Sequence, residues 1–523
     1  MNEVGADEVI DVRAMTPIGR VRGWLREPPS YWLTRFVLLR LLGFVYLFAF
    51  LSLANQVLPL IGSDGLLPAQ PVLDAATDEV GSAWEGFLQA PSLFWFGAPD
   101  WALQTLAWVG VALAAVVLAG YANALILGAL WILYFSFVTI GQDWFGFGWE
   151  MQLLETGFLA MFLVPLLDGR PFPRRRPPVL VMVLFRWVVV RIMLGAGLIK
   201  LRGDDCWQEL TCLDTHFETQ PLPNPLSPAL HLMPHWVHAL GVVGNHVAEL
   251  VAPLFAFGPR RARHVAGLAM FAFQMGLILS GNLSFLNWLT LVAIVACFDD
   301  GILARAMPRF LRARAEAARA AARPSRWQRR AVVGLVIVFA VASIDPLMNL
   351  LSSRQRMNTN FNRLYLANAY GAFGSIGKER YELVLEGTLD EAPGDDAAWR
   401  EYQLPCKPGD PTRRPCVVSP YHYRLDWQIW FAPPYSVEQF PWLAHLAWKL
   451  LHNDEGALSL LDGNPFPGRP PRQVRALLYR YRFARDGDAW WERERLGVWM
   501  GPWSVESPEL LELLAVYGWG PPG

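Results

Sequence analysis

Charge is scarce in this chain. Asp, Glu, Lys and Arg supply 17% of its 523 residues, against about a quarter in soluble domains. Lysine is nearly missing, with Lys200, Lys378, Lys407 and Lys449 alone among 45 basic residues. Cysteine occurs five times, too few for a disulfide scaffold in so long a chain and enough for one or two bridges. The net charge is −1, which gives no reason to expect a nucleic acid partner. What is abundant is apolar surface: 53% of residues are hydrophobic and 13% aromatic, which excludes a disordered chain and points to a membrane protein. Arg in place of Lys, with many Ala, Gly and Pro, fits a GC-rich bacterial source.

A bilayer core of about 30 Å needs roughly 20 apolar residues per helix. Nine stretches are read as spans: 36–56, 102–119, 121–140, 150–167, 179–199, 237–257, 264–280, 283–298 and 331–350. The segment before Tyr31 is polar with mixed charge and has no short apolar run with a small-residue cleavage site, so the first span reads as an uncleaved anchor.

Arginine resists translocation and therefore orients the spans. Arg13, Arg20, Arg22, Arg26 and Arg35 precede or open the first span, whereas the loop 61–101 has no basic residue and six acidic ones. Arg170, Arg174, Arg175 and Arg176, then Arg260, Arg261 and Arg263, then nine arginines between Arg305 and Arg330 fall on the same side as the N-terminus. The resulting organisation is a cytosolic segment 1–30, a multi-pass domain 31–351 with a basic cytosolic linker at 299–330, and a translocated domain 352–523. Alternation at Tyr381–Leu385 and Val474–Phe483 predicts strands, and Gln439–Leu451 and Ser507–Tyr517 predict helices. The fold class is thus a multi-pass α-helical membrane bundle of about nine transmembrane helices followed by a C-terminal α+β soluble domain.

Cys206, Cys212, Cys406 and Cys416 all fall on the translocated side, where disulfides persist; Cys297 lies within a span. Bridges within each pair and free thiols are both open readings of this spacing. Neither pair forms a Cys-x-x-Cys motif, which argues against an oxidoreductase.

Ionisable groups at bilayer depth normally face the bundle interior and are partnered. Glu150, Glu155, Arg186, Arg191, Asn245, His246 and Glu249 form a candidate intramembrane polar network, with a Glu155 pair to Arg191 or Arg186 the simplest arrangement. His231, His235 and His238 stand at i, i+4 and i+7, so His231 and His235 share a helical face, as do His246 and Glu249, yet no Cys or His cluster supplies a third and fourth ligand and no metal site is expected. Asn282 and Asn287, at the turn between two spans, are expected to cap helix ends. No nucleophile elbow, phosphate-cradling loop, zinc-protease motif or dinucleotide fingerprint appears, so neither catalytic residues nor a cofactor are assigned.

Three sets of strings carry a resemblance. Gly203 to Trp207 leads through Cys212 to Thr219-Gln220-Pro221-Leu222-Pro223-Asn224-Pro225, then Gly244 to Leu250. Asn368-Ala369-Tyr370-Gly371-Ala372-Phe373-Gly374 is followed by Lys378-Glu379-Arg380. Cys406 to Cys416 runs into Tyr421-His422-Tyr423-Arg424-Leu425-Asp426-Trp427. Together these resemble the lipase maturation factor family over roughly 31–500. The turn Gly281–Asn287 is also similar to the membrane domain shared with vitamin K-dependent carboxylases, and transfers no catalytic residue. The family resemblance implies a multi-pass protein of the endoplasmic reticulum membrane that helps secreted lipases fold and assemble, its soluble region facing the lumen. In a bacterium the corresponding place is the inner membrane, with that region in the periplasm.

The leading expectation is therefore a non-catalytic, chaperone-like maturation factor for secreted proteins such as lipases, in contact with membrane lipids. Clients would meet the aromatic stretches Trp427–Phe431, Trp442–Trp448 or Trp490–Trp499, unless these form the core of the domain. The alternative is an integral membrane enzyme acting on a lipid or quinone through its intramembrane polar groups. A transporter is weakened by the absence of inverted repeats.

Overall fold

The computed structural model describes residues 29–391, 394 and 397–519. The expected cytosolic segment, apart from its last two residues, lies outside them. All nine apolar stretches contain helix: α1 (Trp32–Ile61), α2 (Asp100–Ala119), α3 (Ala124–Ile140), α4 (Gly148–Met161), α5 (Val179–Gly203), α6 (His235–Phe255), α7 (Arg260–Ser280), α8 (Leu286–Cys297) and, after α9 (Asp300–Ala306) and α10 (Arg309–Ala320), α11 (Arg326–Leu351). Six of them, α1, α2, α5, α6, α7 and α11, are long and apolar enough to cross a bilayer.

The other three depart from an ideal span for local reasons. At 1.5 Å per residue, α3 and α4 are only roughly 26 and 21 Å long. Helix α4 starts late because the chain first makes a short turn at Gln142–Phe145. Helix α8 meets α9 at a bend of 120°. Asp299 sits in that bend and caps α9 through Gly301 N–H at 3.1 Å. It also accepts from Arg260 Nε at 2.7 Å, Arg263 Nη2 at 3.3 Å and His264 Nε2 at 3.1 Å, all on α7. A charge-assisted cluster of this kind fixes the break, because straightening α8 into α9 would remove Asp299 from three partners.

Hydrogen bonds gather the arginine-bearing loops at the end where α1 begins. Arg35 donates to the Arg175 carbonyl at 2.9 Å, and Arg323 N–H to the Arg174 carbonyl at 3.1 Å. Asp300 accepts from Trp32 and Leu33 N–H, each at 2.8 Å, satisfying donors at the start of α1 that have no intrahelical partner. The C-terminal part occupies the opposite end of the bundle.

That part holds a four-stranded antiparallel sheet of order β2-β1-β3-β4, from β1 (Arg380–Thr388), β2 (Arg400–Tyr402), β3 (Gln473–Phe483) and β4 (Trp491–Trp503). Leu383 pairs with Leu478, and eight of nine β1 residues are buried, so β1 is covered on both faces rather than one. Helices α12 (Arg424–Phe431), α13 (Pro441–Leu451) and α14 (Pro508–Tyr517) complete it. The edge strand β4 carries Glu492, Arg493, Glu494 and Arg495, charges that discourage pairing with another chain.

Residue 352 follows α11, and the chain beyond it stays with the bundle. Residues 352–379 contain no helix or strand beyond the bridge Thr359–Ala369. They run against α4 and α5, and Glu155, Asn368 and Tyr370 are buried together there.

Candidate functional site

The surface that most resembles a binding face lies where the bundle meets the C-terminal part, and buried polar joints hold its walls. The first joint centres on Glu155 of α4. Its carboxylate is paired with the Arg191 guanidinium of α5, and Nη1 approaches Oε2 at 3.1 Å. It also accepts from the Asn368 N–H at 3.0 Å, Asn368 Nδ2 at 3.2 Å and the Tyr370 hydroxyl at 2.8 Å. Arg191 in turn donates to the Asn368 carbonyl at 2.7 Å. Both charges are buried, and the surrounding donors supply what such a pair needs to persist away from water.

The second joint centres on Glu150, one turn earlier on α4. It pairs with Arg424 of α12 at 3.0 Å and also accepts from the Tyr134 hydroxyl. Gln56 of α1 completes the clasp: its Oε1 accepts from Arg424 N–H at 3.0 Å and its Nε2 donates to the His422 carbonyl at 2.8 Å. His422 is enclosed by the rings of Phe147, Trp149 and Trp427 at centroid distances of 5.3, 5.3 and 5.8 Å. Burial, helped by the Arg424 charge, holds its pKa well below the ordinary histidine value.

The third joint is backbone recognition. Asn282, in the turn between α7 and α8, accepts from Val418 and Ser419 N–H at 3.0 and 3.1 Å and donates to the Cys416 carbonyl at 3.0 Å. Asn287 donates to Gln274 Oε1 at 2.7 Å. Neither asparagine caps a helix, contrary to expectation, because the arriving C-terminal chain and the neighbouring span take their polar groups. Cys406 is bonded to Cys416, and Cys206 to Cys212, with Cα atoms 5.4 and 4.8 Å apart. Asp426 accepts from the Cys406 and Lys407 N–H groups at 2.7 and 2.8 Å, while burial raises its carboxyl to about 6.

The residues grouped as an intramembrane network do not form one. Glu150 and Glu155 occupy the separate joints above. Arg186 donates to the Ala296 carbonyl and the Tyr31 hydroxyl at 2.8 and 2.7 Å, near the arginine-rich end. Glu249 and Asn245 belong to a third cluster, where Lys200 Nζ meets Glu249 at 2.6 and 2.7 Å and Asn245 at 3.1 Å. A π turn at Val247–Val251 accompanies Glu249 there. His246 stands apart from that pair, its Nε2 3.0 Å from the Trp207 carbonyl. His235 and His238 share Asp214, at 3.0 and 2.8 Å. Among the described residues no group of three His, Cys, Asp or Glu side chains is placed to hold a metal.

The other motif residues line the same junction. Arg380 donates to the Glu218 and Pro221 carbonyls at 2.8 and 2.9 Å. Gln220 donates to the Ser280 carbonyl at 2.9 Å, and Asn224 to the Leu279 carbonyl at 2.8 Å, so this loop sits on the end of α7, with Pro225 in its turn. Glu379 pairs with Arg480 at 2.9 Å, and Lys378 is exposed. Lys200, Gln56 and the partnership of Arg424 with Glu150 escaped the sequence reading. Lys200 was visible only as a charge just past a span.

Between these joints runs an open groove of about 810 Å³. Phe147, Trp149, Phe373, Trp427, Trp430 and Phe431 line it. Of the Trp-rich stretches, Trp442 and Trp491 are core, whereas Phe431 and Tyr435 at this groove are 38% and 51% exposed. An aromatic groove with fixed walls suits an extended apolar segment of another protein.

Two family models match the chain: the lipase maturation factor transmembrane domain over residues 33–305 and the lipase maturation factor C-terminal domain over 366–501. Human lipase maturation factor 1 is 47% identical over 522 residues, covering 94% of this chain and 91% of the relative. The bovine protein of the same name is 48% identical over 504 residues, covering 91% and 90%. Human lipase maturation factor 2 is 29% identical over 598 residues, covering 91% and 83%. No solved structure matches.

Proposed function

The chain belongs to the lipase maturation factor family, and from that premise we propose that it is a membrane-embedded maturation factor for secreted lipase-like proteins. It is an integral membrane protein. In this reading the arginine-rich end faces the cytosol, and the C-terminal part faces the endoplasmic reticulum lumen or, in a bacterium, the periplasm. The aromatic groove receives an exposed apolar segment of an immature client and shields it until the client has folded or assembled. The single observation behind this is the groove itself: large aromatic side chains left partly exposed, on a surface whose walls are held by buried ion pairs on both sides. The domain division at residues 351 and 352 is kept for the chain's topology, with residues 352–379 belonging physically to the bundle.

The membrane-enzyme alternative gains no support from the acids that motivated it, since Glu150, Glu155 and Glu249 are each engaged by a cation. The test is co-expression with a secreted lipase. Phe431→Ala with Tyr435→Ala removes exposed groove surface without touching a joint. The expected result is normal abundance of the variant, weaker crosslinking to nascent lipase and less active lipase secreted. Unchanged crosslinking and secretion would overturn the groove assignment.

A further inference from the structure

Adjoining the groove, with which it shares Leu283, Leu286, Gly371 and Phe373, is a second cavity of about 330 Å³ whose apolar lining includes Ile192, Met193, Phe273 and Leu277. This lies at the small end of the range for ligand pockets, and its composition, apolar with a few polar groups, is typical of them. Two of those polar groups are buried and have a free end. Gln152 uses its Nε2 on Thr290 Oγ1 at 3.2 Å, but its Oε1 has no partner, and the side chain is completely buried. His216 is 7% exposed, and its Nδ1 also lacks a partner. Buried polar atoms in folded proteins are nearly always satisfied, so two unsatisfied ends lining one cavity point to a ligand that supplies hydrogen bonds.

Charge and access narrow the ligand. Lys200 reaches the cavity already neutralised by Glu249 and hydrogen-bonded to Asn245, so an anionic head finds no free cation there. A hydroxyl suits the free end of Gln152 whichever way the amide is turned, and suits His216 in either tautomer, because it both donates and accepts. Two free ends call for more than one such group. On the side facing away from the bundle, the wall contains Gly241 of α6 and Gly276 of α7, both exposed. A Cβ on Gly276 would meet no atom within 4 Å, so the wall is open at α7, whereas one on Gly241 would lie 2.6 Å from Leu213 Cδ1. A lipid chain can enter by that route without crossing water.

We propose that this cavity binds a neutral single-chain lipid with a polyhydroxyl head, the class of a monoacylglycerol, its chain among the apolar residues and its hydroxyls on Gln152 and His216.

The test uses the full chain in phosphatidylcholine nanodiscs with 1-oleoylglycerol carrying a photoreactive group on its acyl chain. Labelling is expected on the peptides containing Ile192, Met193, Phe273 and Leu277, with competition by unlabelled 1-oleoylglycerol and little by oleate. Gly276→Leu fills the opening from a position with room for the side chain and should abolish this labelling at unchanged thermal stability. Gln152→Leu removes one head contact and should weaken binding roughly three- to tenfold. The proposal is overturned if oleate competes as well as 1-oleoylglycerol, if Gly276→Leu labels normally, or if label falls on outward-facing residues such as Val243 and Leu254. Client crosslinking reads out separately, so failure here leaves the groove assignment standing.

Discussion

Tyr370 donates its hydroxyl to Glu155 at 2.8 Å across 215 residues of chain, joining the segment after α11 to the middle of α4. Together with Arg191 and Asn368 it packs the segment 352–379 onto α4 and α5.

Removing one partner from this joint leaves a buried charge without compensation, which costs about 3–5 kcal/mol. Glu155→Ala should therefore lower the thermal midpoint of the detergent-solubilised chain and its abundance in the membrane. Replacing both charges, as Glu155→Gln with Arg191→Met, should recover much of the loss. A single variant as stable as the parent would refute the role given to this pair.

Close approach of backbone to helix supplies a second prediction. A Cβ on Gly195 of α5 would lie 2.2 Å from the Tyr370 carbonyl oxygen, and one on Gly203 would lie 2.6 Å from that of Gly374. Both obstacles are backbone atoms, so the segment must move. Gly195→Ala should destabilise by about 1–3 kcal/mol. Gly276→Ala, with open space around it, should be neutral or stabilising by up to about 1 kcal/mol, as expected for a helical glycine. Scanning fluorimetry of the two variants in parallel separates them.

The Cys406–Cys416 bridge closes a short loop that Asn282 and Asp426 grip from opposite sides. Cys406→Ser with Cys416→Ser should cost roughly 2–4 kcal/mol. Limited proteolysis should cut between residues 406 and 419 faster than in the parent. Equal resistance to cleavage would show that the grip alone is sufficient.

Asp426 predicts a pH dependence. Its carboxyl is raised from 3.8 to about 6 by burial, so the folded state holds a proton that the unfolded state has lost. The stability tied to that proton is complete below about pH 4 and is lost as pH rises through 6. Asp426→Asn keeps an acceptor for the two N–H groups and never ionises. Its advantage over the parent should be absent near pH 4 and grow to at most about 3 kcal/mol above pH 6. An advantage that stayed constant with pH would contradict this.

Local pattern carried much of the architecture. Runs of apolar residues located all nine helical segments, and the alternation at Tyr381–Leu385 and Val474–Phe483 falls within the strands Arg380–Thr388 and Gln473–Phe483. What it could not reveal was partnership. Glu150 and Arg424 are 274 residues apart, and nothing in the neighbourhood of either names the other. Lys200 falls one residue past the apolar stretch 179–199, yet it lies in the last turn of α5, where the packing of α6 places Glu249 against it. Asn282 has the composition of a helix cap, and only the arrival of residues 416–419 gives its amide different partners. The aromatic stretches were ambiguous for the same reason: burial of Trp442 and exposure of Phe431 depend on which elements fold over them.

The clasp between Glu150 and Arg424 also sets a clock. At roughly 5–20 residues per second, synthesis needs about 14–55 s to pass from one to the other. For that interval Glu150 of α4 is without its cation, and a chain ending before Arg424 would keep it so. Newly made bundles therefore wait for their C-terminal part before this acid meets its cation, and a truncated chain would leave a buried carboxyl that takes up a proton instead of pairing.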